Sequence, residues 1–280
     1  MKRSLYTIAS IAILFLAWWG ASLTLEFARG RPIIPDPWQA LVEVGRHGEE
    51  LGRHFIASAA RLGISLVIAT LVAVPFGLMV GHERRLDRLI TPMIYITYPI
   101  PQVVLLPILF IIFGLGDSVR VALISLALFF QILISARGAA KGISEEHLAS
   151  VLSAGANRFQ IYRHVILPAS LPAILTSMRV SIGLGMALLY LSETAPMRTT
   201  TGLGSFIAKH FFSLDIAFAG VITMAFLGLV LYILLDIVER IVCRWQYVQR
   251  RDRPRWPSRL YPNKIREQFL RKIHRTDREG

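Results

Sequence analysis

The sequence contains one cysteine, Cys243, so it can form neither an intrachain disulfide nor a thiolate metal cluster. It is also poor in charge. Asp, Glu, Lys and Arg make up 18% of its 280 residues, against 54% hydrophobic residues. No G-x-x-x-x-G-K-[ST] occurs, so the chain does not bind ATP through a phosphate loop. H-E-x-x-H, C-x-x-C, G-x-S-x-G and G-x-G-x-x-G are absent as well, and with them the chemistry those motifs carry. No catalytic pair can be placed at one depth among the apolar segments, so the chain reads as no enzyme and needs no cofactor. His47, Glu49, Glu50 and His54 cluster in a polar segment, where His47 and His54 would share a helix face. The simplest reading there is a solvated amphipathic face rather than a metal site. There is no internal repeat and no low-complexity stretch.

What the sequence does have is long apolar runs and a mean hydropathy of +0.53. A bilayer crossing takes about 20 apolar residues, and six crossings can be drawn. They run over about residues 6–25, 62–81, 89–114, 121–136, 173–191 and 216–235. The first begins after Lys2 and Arg3. It is long, contains Trp18 and Trp19 and lacks a small-residue cleavage site, so it reads as a retained span rather than a signal peptide. The third carries Pro92, Pro99, Pro101 and Pro107 and must be kinked or broken, since proline removes a backbone donor and clashes with the preceding turn. Ala69, Ala73, Gly77 and Gly81 recur every fourth residue and line one face of the second span, where small side chains permit close helix approach.

Positive charge sets the expected orientation. The net charge is +13, and residues 240–280 hold thirteen Lys and Arg against four acids, so nine of the excess charges lie in that tail. Arg84, Arg85 and Arg88 fill one short connection. Arg137, Lys141, Arg158 and Arg163 fill another. With six crossings these connections and both termini share one side, which the positive-inside bias makes the cytoplasm. Residues 26–61 then face outward, with an amphipathic helix over 38–55. In the tail, aromatic and basic residues interleave over 245–261, and 264–274 can form a short helix. Following a span, this composition reads as a headgroup-level anchor and a partly disordered flank, not as a nucleic-acid site.

Gly155-Ala156-Asn157-Arg158 and Val165-Ile166-Leu167-Pro168 stand between the fourth and fifth spans, with nine residues separating Gly155 from Val165. In this spacing the connection resembles the E-A-A-x-x-x-G-x(9)-[IV]-x-L-P loop of the permease subunits of bacterial ATP-binding-cassette importers. The chain departs from that pattern at its start. Ala149 stands where the family has glutamate, Ser150 and Val151 fill the alanine positions, and Glu145 and Glu146 fall about one turn earlier. The run Phe55–Arg61, Pro99-Ile100-Pro101, Phe113-Gly114-Leu115-Gly116-Asp117 and Gly202-Leu203-Gly204 resemble marks of the nitrate, sulfonate and taurine branch.

The resemblance implies an all-α membrane protein, with six transmembrane helices in the type I importer arrangement and a cytoplasmic coupling helix. Residues 1–60 would hold the first span and the outer segment, 61–243 the permease core with its coupling loop at 144–168, and 244–280 the basic tail. Implied partners are a cytosolic ATPase dimer, an extracytoplasmic solute-binding protein, a second copy of the chain and the lipid bilayer of the bacterial inner membrane. Helices over 144–153 and 158–166 would flank Gly155, and Pro168 would stop the second at the membrane surface. Ala149, Ser150, Leu152, Ser153, Ala154, Gly155 and Phe159 would dock on the ATPase, with Pro168 closing the loop. Tyr98, Gln102, Gln131, Ser181, Tyr190 and Ser192 are candidates for the translocation path, or for hydrogen bonds between helices. Arg179 and Glu193, ionisable residues in or beside the fifth span, are candidates for a gate or an ion pair. Alternatively, Arg179 snorkels toward the cytoplasm and Glu193 marks a span boundary. The solute would be small and anionic or zwitterionic. The competing class, a self-sufficient channel or ion-coupled carrier, would need no ATPase.

Overall fold

The computed structural model describes residues 2–30, 34–195 and 201–245. The chain divides after Val242. Met1–Val242 form one compact unit, and the second begins at Cys243 and is described only as far as Trp245. The tail features expected over 245–274 therefore lie almost wholly outside the described residues.

All regular structure among the described residues is helical. The chain opens with α1 (Lys2–Arg29), α2 (Pro37–Arg46), α3 (Gly48–His82), α4 (Arg84–Thr97) and α5 (Leu106–Phe113). It continues with α6 (Asp117–Lys141), α7 (Glu145–Ser153), α8 (Arg158–Ile161), α9 (Leu167–Thr194), α10 (Leu203–Lys209) and α11 (Leu214–Val242). Four helical stretches are long and apolar enough to cross a bilayer: Gly48–His82, Asp117–Lys141, Arg158–Thr194 and Leu214–Val242. The expected third span is a broken pair. Arg84–Thr97 and Gln102–Phe113 meet at an angle of 83°. The break falls at Pro99 and Pro101, whereas Pro92 is accommodated inside α4 and Pro107 sits at the start of α5, where a missing N–H costs nothing. α1 covers the expected first span, with a shorter apolar segment at Ala12–Ala28. Its described side chains are largely exposed. It is attached through the Ser22 hydroxyl, which donates to Ile34 O and Asp36 Oδ1 at 2.9 Å each, and through Trp18 against Phe218.

Two sequence expectations need correction. The amphipathic helix over 38–55 is two helices, separated at His47. Gly45 and Gly48 flank that point and weaken the helix there. The break lets α2 lie against α11, while the second half runs directly into the bundle as the first turns of α3. Pro168 does not stop a helix either. Arg158–Ile161 passes through a single π-helical turn at Tyr162–Ile166 and continues through Leu167 and Pro168 into α9. The widened turn absorbs the misfit between the proline ring and the carbonyl one turn earlier.

α6 is the axis of the bundle. In its most apolar window 56% of residues are buried, against 17% in α11, which faces outward. It packs along α3 on one side and α9 on the other. The small-residue stripe of α3 makes the first contact possible. Ala69 and Ala73 are buried, and a Cβ placed on Gly77 would lie 2.8 Å from Ala136 Cβ. One on Gly81 would collide with the Arg137 carbonyl. Serines stitch the seams: Ser65 donates to Val121 O at 3.2 Å, Ser125 to Ser65 O at 3.3 Å, and Ser177 to Gln131 O at 3.3 Å. Gly81→Val should therefore force α3 off α6. A loss of about 1–3 kcal/mol, the usual cost of overpacking, is expected, read as a lower unfolding midpoint in detergent. Gly63→Val, at an open position, should leave the midpoint unchanged.

Candidate functional site

The connection between α6 and α9 is a built element. Ser144 takes the N-cap position of α7, and Glu145 and Glu146 occupy its first turn, where the helix dipole favours negative charge. α7 ends in a Schellman turn. The Gly155 amide donates to Leu152 O at 2.9 Å and the Ala156 amide to Val151 O at 3.3 Å. Gly155 has φ +84, left-handed backbone that side-chain-bearing residues enter only at a cost. Two residues later a capping box starts α8. The Gln160 amide donates to Asn157 Oδ1 at 2.9 Å, and the Asn157 amide donates to Gln160 Oε1 at 2.8 Å. Stop and start signals thus follow each other within a few residues, so the turn is fixed by its own hydrogen bonds.

This element presents apolar side chains to its surroundings. Leu152 is 54% exposed and Phe159 69% exposed. Ala149, Ser150, Ser153, Ala154 and Gly155 are exposed beside them, while Pro168 is half-buried in the continuing helix. The element is tethered to the α3–α4 connection. Arg84 pairs with Glu145, Arg158 lies 3.8 Å from Glu83, and the His82 and Tyr162 rings meet edge-on at 5.2 Å. Behind it, Asp87 accepts from Arg137 at 2.6 Å and from Lys141 at 2.7 Å, tying α4 to the end of α6. Glu145, one turn before Ala149, is thus engaged within the chain.

The other singled-out residues lie deeper or at the far end. The Tyr98 hydroxyl donates to Gln131 Oε1 at 3.2 Å, so these two are brought together, and Gln102 is half-buried in the turn after the break. The Ser181 and Ser192 hydroxyls are buried and donate to carbonyls of their own helix, at Ser177 and Leu189. Tyr190 is exposed. Arg179 donates to Asp236 Oδ1 at 2.9 Å and pairs with Glu239, both on α11, and its guanidinium lies 5.7 Å from the Tyr232 ring centre. Glu193 is buried in the last turn of α9, and Arg61 Nη1 donates to it at 2.6 Å. His54 Nδ1 lies 2.7 Å from Gly202 O, and His47 lies against Phe206 and His210. Among the described residues no group of three or more His, Cys, Asp and Glu side chains is placed to hold a metal.

Sequence reasoning missed the partners of Glu193. Arg61 and Ser58 reach it from α3, Asp117 and Arg120 stand beside Arg61 on α6, and the Gly204 amide donates to Glu193 Oε2 at 2.8 Å. Arg61, Asp117 and the Gly202-Leu203-Gly204 run each sit within motifs that were legible separately. Their meeting is a property of the fold.

A chain whose regular structure, among the described residues, is all helical, with several helices of bilayer length, is a multi-pass membrane protein. Residues 73–244 match the family described as the binding-protein-dependent transport system inner membrane component, and the chain belongs to it. It is the permease subunit of an ATP-binding-cassette importer, a transport subunit whose ATPase is a separate polypeptide and which works with a solute-binding protein. Among its relatives is the taurine transport system permease protein TauC of Escherichia coli, 30% identical over 249 residues, covering 85% of this chain and 89% of the relative. The putative aliphatic sulfonates transport permease protein SsuC of the same species is 28% identical, covering 70% and 74%. The riboflavin transport system permease protein RibX of Chloroflexus aurantiacus is 30% identical, covering 84% and 88%. The fold also matches a chain of the inward-facing MetNI methionine transporter, with a TM-score of 0.58 and 20% identity over 70% of this chain and 96% of that one.

Removing Arg179 leaves the buried Glu239 without the guanidinium that pairs with it. Arg179→Ala should cost about 3–5 kcal/mol, read as a lowered unfolding midpoint. Arg240→Ala, which removes an exposed pair to Asp236, should cost under about 1 kcal/mol.

Proposed function

We propose that the α7–Gly155–α8 element is the surface through which a cytosolic ATPase dimer drives this permease. The solute carried is small and anionic or zwitterionic, of the taurine or sulfonate kind. The observation that carries the first part is a self-braced turn with Leu152 and Phe159 exposed together. An apolar, stiff projection suits a groove on a soluble partner and can transmit force without bending. Ala149, Ser150, Leu152, Ser153, Ala154, Gly155 and Phe159 form the docking face. With Ala149 in the family's glutamate position, docking rests on shape and apolar contact more than on charge. The solute class is supported by TauC and SsuC, whose names refer to taurine and aliphatic sulfonates.

In this reading six spans, the first in α1 and the third broken, place both termini in the cytoplasm. Two copies pair in the membrane, residues 61–243 make the core and 244–280 a basic flank. Tyr98, Gln102, Gln131 and Tyr190 contribute to the path between the copies, whereas the buried Ser181 and Ser192 hydroxyls bond within α9. Arg179 is a structural ion pair rather than a gate, because both of its carboxylates lie on one helix, α11, and would leave it together if that seam opened. The transmembrane part rocks between inward- and outward-open forms as the ATPase closes.

Gly155→Asp adds charge and bulk to the docking face at a position where an L side chain is strained. ATP-dependent taurine uptake in vesicles with the partner subunits is expected to fall to background, while insertion of the chain stays normal. Uptake at the unsubstituted rate would rule the docking face out. Uptake of neither taurine nor an alkanesulfonate by the unsubstituted complex would reject the solute class alone.

A further inference from the structure

The bundle carries a second polar centre at the end away from the docking element. α6 runs between them, and its 25 residues separate Asp117 from Lys141 by roughly 36 Å. Here Arg61 stands between two carboxylates on different helices. Its Nη1 donates to Glu193 Oε1 on α9 at 2.6 Å, and its Nε donates to Asp117 Oδ1 on α6 at 2.9 Å, with Nη2 at the same distance from that oxygen. Arg120 Nη1 donates to the same Asp117 oxygen at 2.9 Å, and its Nε reaches Ser192 O at 3.3 Å. Arg61, Arg120 and Glu193 are buried, whereas the Asp117 side chain is 56% exposed.

Glu193 holds α10 as well. It accepts from the Gly204 amide at 2.8 Å, and its carbonyl accepts from Ser205 Oγ at 2.9 Å. Ser58 Oγ of α3 donates to Glu193 at 2.7 Å and accepts from the Leu203 amide at 2.9 Å. The grip requires backbone at contact distance. A Cβ on Gly202, whose φ is +150, would stand 2.5 Å from Glu193 Cδ and 2.6 Å from Arg61 Nη1.

We propose that Glu193 and Arg61 are positioning residues of an outer gate, a latch across the seam between α3 and the α9–α10 pair that releases during the transport cycle. The proposal rests on the importer reading. A permanent joint needs no buried charge. Apolar packing makes one at lower cost, as Phe206 does against Gly220 on the other side of α10. A charged joint has a second stable arrangement only if each ion keeps a partner when the joint opens, and this one meets that condition. When α9 and α10 draw away, Arg61 retains Asp117 at the watered edge of the cluster. Glu193 retains the Gly204 amide and moves with α10. Neither ion is stranded in an apolar setting, so the seam can open and close with defined geometry.

The test uses the complete importer with Leu203→Cys in a Cys243→Ser background, labelled from outside by a membrane-impermeant maleimide. Leu203 is fully buried under the latch. Loss of a charge-assisted hydrogen bond corresponds to about tenfold or more in an opening equilibrium. Labelling is therefore expected to differ at least about tenfold between the nucleotide-free and the ATP–vanadate-trapped complex, a contrast a merely structural clamp would not produce. Glu193→Gln should raise the slower rate and erase the contrast. Equal rates in the two states, or a Glu193→Gln variant that keeps the contrast, would overturn the latch. Should Glu193→Gln not insert, Arg61→Lys serves, because an ammonium cannot bridge both carboxylates as the fork does. Loss of contrast supports the latch and its retention overturns it. If no ATPase assembles with the chain the importer reading fails by itself, and labelling of the chain alone that Glu193→Gln leaves unchanged still overturns the latch.

Discussion

Helices in a bilayer gain nothing from exchanging lipid for another apolar face, so their association depends on how closely backbones approach and on whether every polar group finds a partner. In this chain the stripe Ala69, Ala73, Gly77 and Gly81 sets that distance. It brings α3 onto α6 until backbone touches backbone, and only then can Ser65 and Ser125 bond across the seam. The polar contacts between these two helices follow from that contact. Arg61 projects from α3 and Asp117 and Arg120 from α6, so their meeting depends on the same pair of helices lying close along their length. At the other end Arg137 and Lys141 of α6 grip Asp87 of α4. α6 is thereby a rod anchored by charge at both ends and by small residues between them.

Much of this was legible before any coordinates. Apolar runs bounded by Arg and Asp located the bilayer-length helices, because charge is costly inside a bilayer and marks where a span stops. Gly155 permits a left-handed turn or a close backbone approach, and the turn, at φ +84, is what forms. The break of the third span followed from Pro99 and Pro101. What was not legible depended on partners remote in sequence or on backbone adjustments with no side-chain signature. Glu193 reads as a gate, an ion pair or a span boundary, because nothing near it in sequence says that Arg61, 132 residues earlier, faces it. Arg179 lacked an evident partner for the same reason: Asp236 and Glu239 sit where α11 passes, and only packing reveals it. Pro168 misled in another way. The rule that proline ends a helix assumes regular i→i−4 bonding, and the π turn at Tyr162–Ile166 suspends it.

That π turn bears on how force can travel. A push on the α7–α8 element can be lost in bending or passed on, depending on where the structure yields. The element itself is braced by the Schellman turn and the capping box. Beyond it, Leu167–Thr194 is an unbroken helix that packs along α6 and carries Glu193 in its last turn. The places of weaker backbone bonding lie in its first turns, at the π turn, Pro168 and Pro172, all on the loop side. In the proposed coupling, compliance there acts as a hinge close to the load, and the remaining length of α9 moves as a lever arm. The broken span of α4 and α5, bent by 83°, has no comparable stiffness and is a poor conductor of the same motion. The path of least bending from the loop to the far end therefore runs along α9. On that proposal a small rotation at the π turn becomes a larger displacement of the carboxylate that holds α10.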